Sequence, residues 1–308
     1  MVDVAIMIEG QSGLNWPRWQ RLVRAVEDLG FAALYRSDHL IAAQPPDQDA
    51  LELWTSLTWL AANTERIEFG NLVSPLTFRH PVHLAHAAAA LDDLSNGRFT
   101  LGLGAGWSQR EHQMYGFDMF APPERMDRFE EGLHIVTRLL RSDEPVTFTG
   151  RHFCTSDAVV LPRPQRTTPV LVAGRGRNRS LPLAARFADA WNVMFVAPDT
   201  LTEMNAALDA LLAEQGRQPH DLRRTVMQGV EVGRTQEEVD AKCAARAWAF
   251  WRTPGLFAGT APALQATLRD FEQAGADRVI LQWLDLDDLD GLSLLAEALL
   301  SRPLPRPR

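Results

Sequence analysis

The chain has 308 residues, long enough for one large domain or two ordinary ones. Hydrophobic residues make up 46% and charged residues 23%, a balance that excludes an intrinsically disordered chain. Asp and Glu number 39 against 31 for Lys and Arg, and the net charge of −8 argues against a dedicated nucleic-acid binder. Lys242 is the sole lysine, so 30 of the 31 basic residues are arginine, whose fixed fork of donors grips phosphates and carboxylates.

Two cysteines, Cys154 and Cys243, are too few to staple a chain of this size and match no metal-ligand spacing. They fit a reducing compartment. The opening Met1–Glu9 segment carries an acid at its third position and lacks the basic start of a signal peptide. No apolar run approaches the roughly 18–20 residues needed to cross a bilayer. The expectation is a soluble, cytoplasmic protein with a small-molecule partner and neither nucleic acid nor membrane.

Short apolar runs alternate with longer amphipathic patterns, as in βαβ units. The first strand reads as Val2–Ile8, followed by a helix over Trp16–Leu29 that stops at Gly30. Ala32–Tyr35 is the second strand, Leu51–Ala62 a helix and Ile67–Val73 the third strand. A helix opens at His80-Pro81 and ends near Ser95-Asn96-Gly97, before the fourth strand at Arg98–Leu103. The rhythm then breaks between Trp107 and Pro169, where a helix near Pro123–Leu140 and a hairpin over Val146–Phe153 form an insertion, a natural substrate-side lid. Alternation resumes at Val170–Ala173, Ala190–Met194, Thr225–Val232 and Arg278–Gln282.

Eight strands, each followed by a helical pattern, predict an α/β fold of the (β/α)8 TIM-barrel type, a single domain over residues 1–308 with an insertion at about 107–168 and a frayed tail at 302–308. The competitor, a doubly wound open sheet, lacks its fingerprint: Glu9-Gly10-Gln11-Ser12-Gly13 has no third glycine and no helix start.

Barrel chemistry gathers at the C-terminal strand ends. Strand one ends at Glu9, alone a weak signal, because a single carboxylate at a strand end is more often a salt-bridge partner. Strand two ends at Asp38-His39, an acid and an imidazole that read either as an acid/base unit or as a helix cap beside a surface histidine. Strand four ends in Gly102-x-Gly104-x-Gly106, which suits a flat ring against bare backbone or tight barrel packing. Strand five runs into Gly174-Arg175-Gly176-Arg177-Asn178-Arg179-Ser180, where bare amides at a helix start and three arginines suit a phosphate. His80, His83 and His86 could share a metal ion, but their spacing puts them on or before a helix rather than at strand ends, so no metal is expected. Trp248, Phe250, Trp251 and Phe257 form an aromatic cluster, either core or pocket wall.

The ordered set of segments resembles the luciferase-like monooxygenase superfamily, in particular its coenzyme F420-dependent oxidoreductase branch. The resemblance is carried by Ser37-Asp38-His39-Leu40, Leu72-Val73-Ser74-Pro75, Arg79-His80-Pro81, Leu94–Arg98, Leu101–Trp107 with Glu111, Glu124-Arg125, Phe148–Arg151, Ala188–Asn192 and Gly259–Pro262. It implies a deazaflavin ring across the strand ends, a non-prolyl cis peptide within Leu72-Val73-Ser74, and ring contacts from Asp38, Ala105, Gly106 and Trp107. It also implies a phosphate loop at Gly174-Arg175-Gly176-Arg177, and His39, with Asp38 and Glu9, as the catalytic set for hydride exchange with a small organic substrate. Trp107 stands where some members carry a second acid. The alternatives are an FMN-dependent monooxygenase of the same fold and a metal-dependent barrel hydrolase. Homodimers occur in the family, and no segment of this sequence selects dimer over monomer.

Overall fold

The computed structural model describes residues 2–163, 165–245 and 255–300. Its strands are β1 (Asp3–Ile8), β2 (Ala33–Arg36), β3 (Glu68–Asn71), β4 (Ser74–Pro75), β5 (Phe99–Gly104), β6 (Val146–Thr149), β7 (Cys154–Ala158), β8 (Val170–Ala173), β9 (Ala190–Met194), β10 (Arg223–Val232), β11 (Phe257–Gly259) and β12 (Arg278–Trp283). Strands β1, β2, β3, β5, β8, β9, β10 and β12 are parallel neighbours in that order, and β12 pairs back onto β1. The sheet is therefore a closed eight-stranded barrel. The short β4 and β11 extend it by pairing with β5 and β10.

Helices α1 (Trp16–Leu29), α2 (Leu53–Asn63) and α3 (Pro81–Leu94) follow the first three barrel strands. Local chemistry sets their limits. The Asn15 side chain accepts from the Arg18 amide at the start of α1, Pro17 sits in its first turn, and Gly30 ends it in the left-handed region at φ 92°. His80 does the same at α3, with Nδ1 accepting from the Val82 amide. All three helices lie within a few residues of the limits expected from the sequence.

Alternation along the strands sorts the core into two parts. Ala5, Met7, Ala33, Tyr35, Leu72, Leu171, Ala190, Met227 and Ile280 fill the barrel interior. Their neighbours of opposite parity pack outward against the helical layer. Arg278 plugs the N-terminal end. It is 1% exposed and donates to Glu68 at 2.8 Å, Asp3 at 3.2 Å and the Tyr35 hydroxyl at 3.0 Å.

Between β5 and β8 lie α4 (Gln109–Tyr115), α5 (Pro122–Arg141) and the β6–β7 hairpin. The hairpin is longer than the pattern suggested, because its second strand reaches Ala158. Glu131 on α5 accepts the amides of Arg151, His152 and Phe153 at 2.8–2.9 Å, and α5 packs on α3. The hairpin is thus pinned to the outer helical layer rather than hung over the mouth as a lid. The remaining helices are α6 (Ser180–Phe187), α7 (Pro198–Glu214), α8 (Gln236–Ala245), α9 (Ala261–Gln273) and α10 (Leu289–Leu299). Phe257 is fully buried and stacks on Phe271 at 5.7 Å, so it belongs to the core; Trp248, Phe250 and Trp251 lie outside the described residues. No helix among the described residues is long and apolar enough to cross a membrane.

Candidate active site

The same alternation that fills the barrel decides what reaches its C-terminal mouth. Two residues beyond Met7 and Ile280 come Glu9 and Gln282, and four beyond Ala190 comes Met194, 44% exposed. Half-buried Val73, Ala173 and Phe195 pack on top of the interior cluster. The floor is therefore apolar, and a polar rim runs along the β12, β1 and β2 side.

Glu9 is clamped on that rim. Gln282 Nε2 donates to its Oε1 at 2.6 Å and Gln11 Nε2 to its Oε2 at 2.8 Å. Ser37 Oγ donates to Gln11 Oε1 at 2.8 Å and accepts the Gly10 amide at 3.1 Å, which fixes the amide orientation.

Asp38 and His39 leave β2 in different directions. Asp38 is 2% exposed; its Oδ2 accepts from Ser74 Oγ at 2.5 Å and pairs with Arg79, while Oδ1 is buried without a partner. Burial pushes its carboxyl above the ordinary aspartate value, and the Arg79 charge and the Ser74 hydrogen bond oppose that shift. His39 faces the mouth with a fifth of its side chain exposed, and its Nδ1 meets Glu111 Oε2 at 2.9 Å. Glu111 is fully buried on α4, and its other oxygen accepts the Leu40 amide. The imidazole pKa is raised. Burial acts to lower it, but the Glu111 hydrogen bond and the charges of Glu9, Glu111 and Asp38 outweigh that cost. Burial likewise works to raise the Glu111 carboxyl, and the His39 contact and the Leu40 and Ile41 amides bring it below its usual range. Trp107 covers the flank of His39, ring to ring at 5.4 Å and 75°.

The bond Leu72–Val73 is cis, within the segment expected. The glycines of β5 face this loop. A Cβ on Gly102 would sit 2.0 Å from the Asn71 carbonyl oxygen, and one on Gly104 would sit 2.7 Å from Val73 Cγ2. Of the two sequence readings, tight packing is what these two residues do: they let the Val73 loop lie against the barrel, and the loop in turn floors the mouth. Asn71 locks the arrangement, accepting the Gly102 amide at 2.9 Å and donating to Ser74 Oγ at 2.9 Å.

The Gly174–Ser180 loop leads from β8 into α6, which has no side-chain cap, so the amides at its start meet no capping side chain. Gly174 adopts φ 142°, and a Cβ there would strike Ser180 Oγ at 2.8 Å. The arginines divide their tasks. Arg179 pairs with Asp127 at 2.7 Å and Arg177 with Glu203 at 3.5 Å, whereas no ion pair engages Arg175 among the described residues. The expectation of three like charges at one loop is thus narrowed by structure: the carboxylates of α5 and α7 could not be foreseen from local sequence. His83 and His86 lie exposed on α3 and His80 caps it, and no three His, Cys, Asp or Glu side chains among the described residues form a metal cage.

The strand ends thus converge on a carboxylate-backed imidazole beside an apolar floor and a glycine-arginine loop. The chain belongs to the luciferase-like monooxygenase family, whose model matches residues 4–295. It is 33% identical over 240 residues, 76% of this chain and 64% of the other, to an F420-dependent hydroxymycolic acid dehydrogenase of Mycobacterium tuberculosis. It is 33% identical over 202 residues, 64% of this chain and 58% of the other, to an F420-dependent glucose-6-phosphate dehydrogenase of Microbacterium testaceum. The matches thus span about three-fifths of these relatives' length. Among solved structures, an F420-dependent secondary alcohol dehydrogenase in complex with an F420-acetone adduct superposes with a TM-score of 0.85 over 97% of this chain and 98% of that one, at 18% identity.

Proposed function

We propose that the protein is an F420-dependent oxidoreductase that exchanges hydride between the deazaflavin and a small organic substrate. The observation that carries this reading is the carboxylate-backed His39 beside the Val73 loop, facing the mouth. The F420-dependent relatives support the choice of cofactor. Two features fit a flat ring bearing a phosphate. The buried, unpartnered Oδ1 of Asp38 stands next to the Val73–Ser74 loop, an acceptor for a polar ring edge. The uncapped start of α6, with glycine at 174 and 176 and Arg175 in no ion pair among the described residues, leaves a guanidinium and side-chain-free backbone for an anion.

On this reading Leu72, Val73, Ser74, Asp38, Ala105, Gly106 and Trp107 hold the ring, and Gly174, Arg175, Gly176 and Arg177 hold the phosphate. When bound, the deazaflavin supplies hydride acceptance or donation at its C5. His39 exchanges the proton at the substrate oxygen. Glu9, with both oxygens engaged, serves as a fixed negative charge beside the imidazole rather than as a second base. The described residues act as one barrel unit, with α4 of the segment between β5 and β8 contributing Glu111 to the site.

The test is a spectral titration of the pure protein with F420 and, separately, with FMN, followed by reduction or oxidation of the bound cofactor with neutral alcohols and carbonyl compounds. Saturable F420 binding is expected. Tight FMN binding with no F420 affinity would overturn the cofactor choice and return the FMN monooxygenase reading.

A further inference from the structure

We infer that Glu111 is a positioning residue that fixes the tautomer of His39, so that Nδ1 carries the proton and Nε2 is presented unprotonated to the substrate oxygen. The inference rests on the oxidoreductase reading for its catalytic meaning, but its structural content stands without any cofactor.

The geometry is one-sided. Glu111 Oε2 meets Nδ1 at 2.9 Å, and a carboxylate at this site is acceptor-only, so the shared proton sits on Nδ1. The second carboxylate oxygen is anchored by the Leu40 amide, one residue beyond the histidine, so Glu111 holds both the ring and the loop that carries it. Glu111 is fully buried, which removes water as a competitor for Nδ1. Trp107 packs edge-on against the imidazole and limits its rotation. Among the described residues no hydrogen bond occupies Nε2. The charged groups facing the ring are Glu111 from α4, Glu9 from the end of β1, and Asp38 from the adjoining residue, the last already paired with Arg79.

During oxidation of an alcohol, the substrate O–H bond breaks and its proton forms a bond to Nε2. The C–H electron pair would leave as hydride as the carbonyl forms, with the bound cofactor supplying the acceptor. The imidazole gains one positive charge, which the Glu111 carboxylate stabilises across the ring; the proton then passes to solvent. In the reductive direction, the imidazolium returns the proton to the nascent alkoxide. This division of labour places a carboxylate behind the imidazole in a site in which Trp107 occupies the position after the β5 glycines.

Replacing Glu111 with Gln is the decisive perturbation. The Gln Oε1 still accepts the Leu40 amide, but its Nε2 donates, so Nδ1 must become the acceptor and the proton moves to Nε2. Long-range 1H–15N NMR of the cofactor-free protein reads the tautomer directly. The wild type is expected to show a neutral Nδ1–H imidazole and E111Q the Nε2–H form, with a lower imidazole pKa. In turnover assays, kcat should fall about 10²–10⁴-fold, the span for losing a correctly poised general base, while F420 affinity and substrate KM stay close to wild type. E111D should restore part of the rate. An Nε2–H tautomer in the wild type overturns the inference even if E111Q fails to fold. So does an E111Q protein with unchanged tautomer, pH profile and kcat. Failure of F420 to bind, with the tautomers as expected, would remove the cofactor reading and leave the positioning role intact.

Discussion

Placing a methyl group on Gly104 or on Gly102 separates the two tasks of the β5 glycines. At Gly104 the new Cβ would lie 2.7 Å from Val73 Cγ2, against an ordinary contact of 3.4–4 Å, so the valine side chain must retreat by about 1 Å. Val73 is half-buried and borders the open mouth, so it has room to move, and it moves into the space assigned to the ring. The expected cost falls on ligand affinity: about tenfold in the F420 dissociation constant, or roughly 1.4 kcal/mol, with a small change in melting temperature. At Gly102 the obstacle is the Asn71 carbonyl oxygen at 2.0 Å, a backbone atom whose side chain is bonded to Gly102 on both polar groups. Strands β3 and β5 must part, and overpacking of this kind costs about 3 kcal/mol, the upper end of the usual range. Differential scanning calorimetry and a fluorescence titration with F420 read the two effects. A G104A protein with wild-type affinity, or a G102A protein with wild-type stability, would refute the reasoning about this loop.

Changing His39 to alanine should leave cofactor binding close to wild type and lower turnover about 10²–10⁴-fold in steady-state assays; unchanged turnover would remove it from the mechanism. Arg175→Ala should weaken F420 binding more than Arg177→Ala, because Arg177 already pairs with Glu203, and the difference should shrink as salt rises. Arg278→Met should destabilise the barrel by about 3 kcal/mol in urea unfolding, since it strips a buried guanidinium from Asp3, Glu68 and Tyr35; a loss near zero would show that Arg223 suffices. Glu131 is held below its ordinary value of 4.5 by the amides of Arg151, His152 and Phe153, against the opposing pull of burial. A depressed carboxyl contributes stability that is complete above its unfolded value and is lost as pH falls through the folded one. Protection factors at those three amides should therefore fall as pH drops below the ordinary glutamate range, and E131Q should abolish that dependence.

The strand count, the order of elements and the strand-end residues Glu9, Asp38, His39, Val73 and Trp107 were all legible in the sequence. They rest on local causes: period-2 and period-3.6 burial, caps such as Asn15 and His80, and glycines at turns. The cis bond was bracketed to three residues by family resemblance, and only the backbone assigned it to Leu72–Val73. The tasks of the side chains were another matter. Glu111 was visible as part of a family pattern, but its contact with His39 spans 72 residues and arises because α4 folds back over the end of β2. Arg175, Arg177 and Arg179 read alike in the sequence, and only α7 and α5 set Glu203 beside Arg177 and Asp127 beside Arg179. Glu9 read as a lone strand-end carboxylate, and only the closed barrel brings Gln282 from the last strand to its Oε1.

Local sequence therefore determined the eight-fold architecture and which residues reach the mouth, because alternation is a property of each strand alone. Closure of the barrel and packing of the helical layer decided which charges are spent on one another and which face the substrate. Those pairings join elements far apart in the chain, and no short-range pattern encodes them.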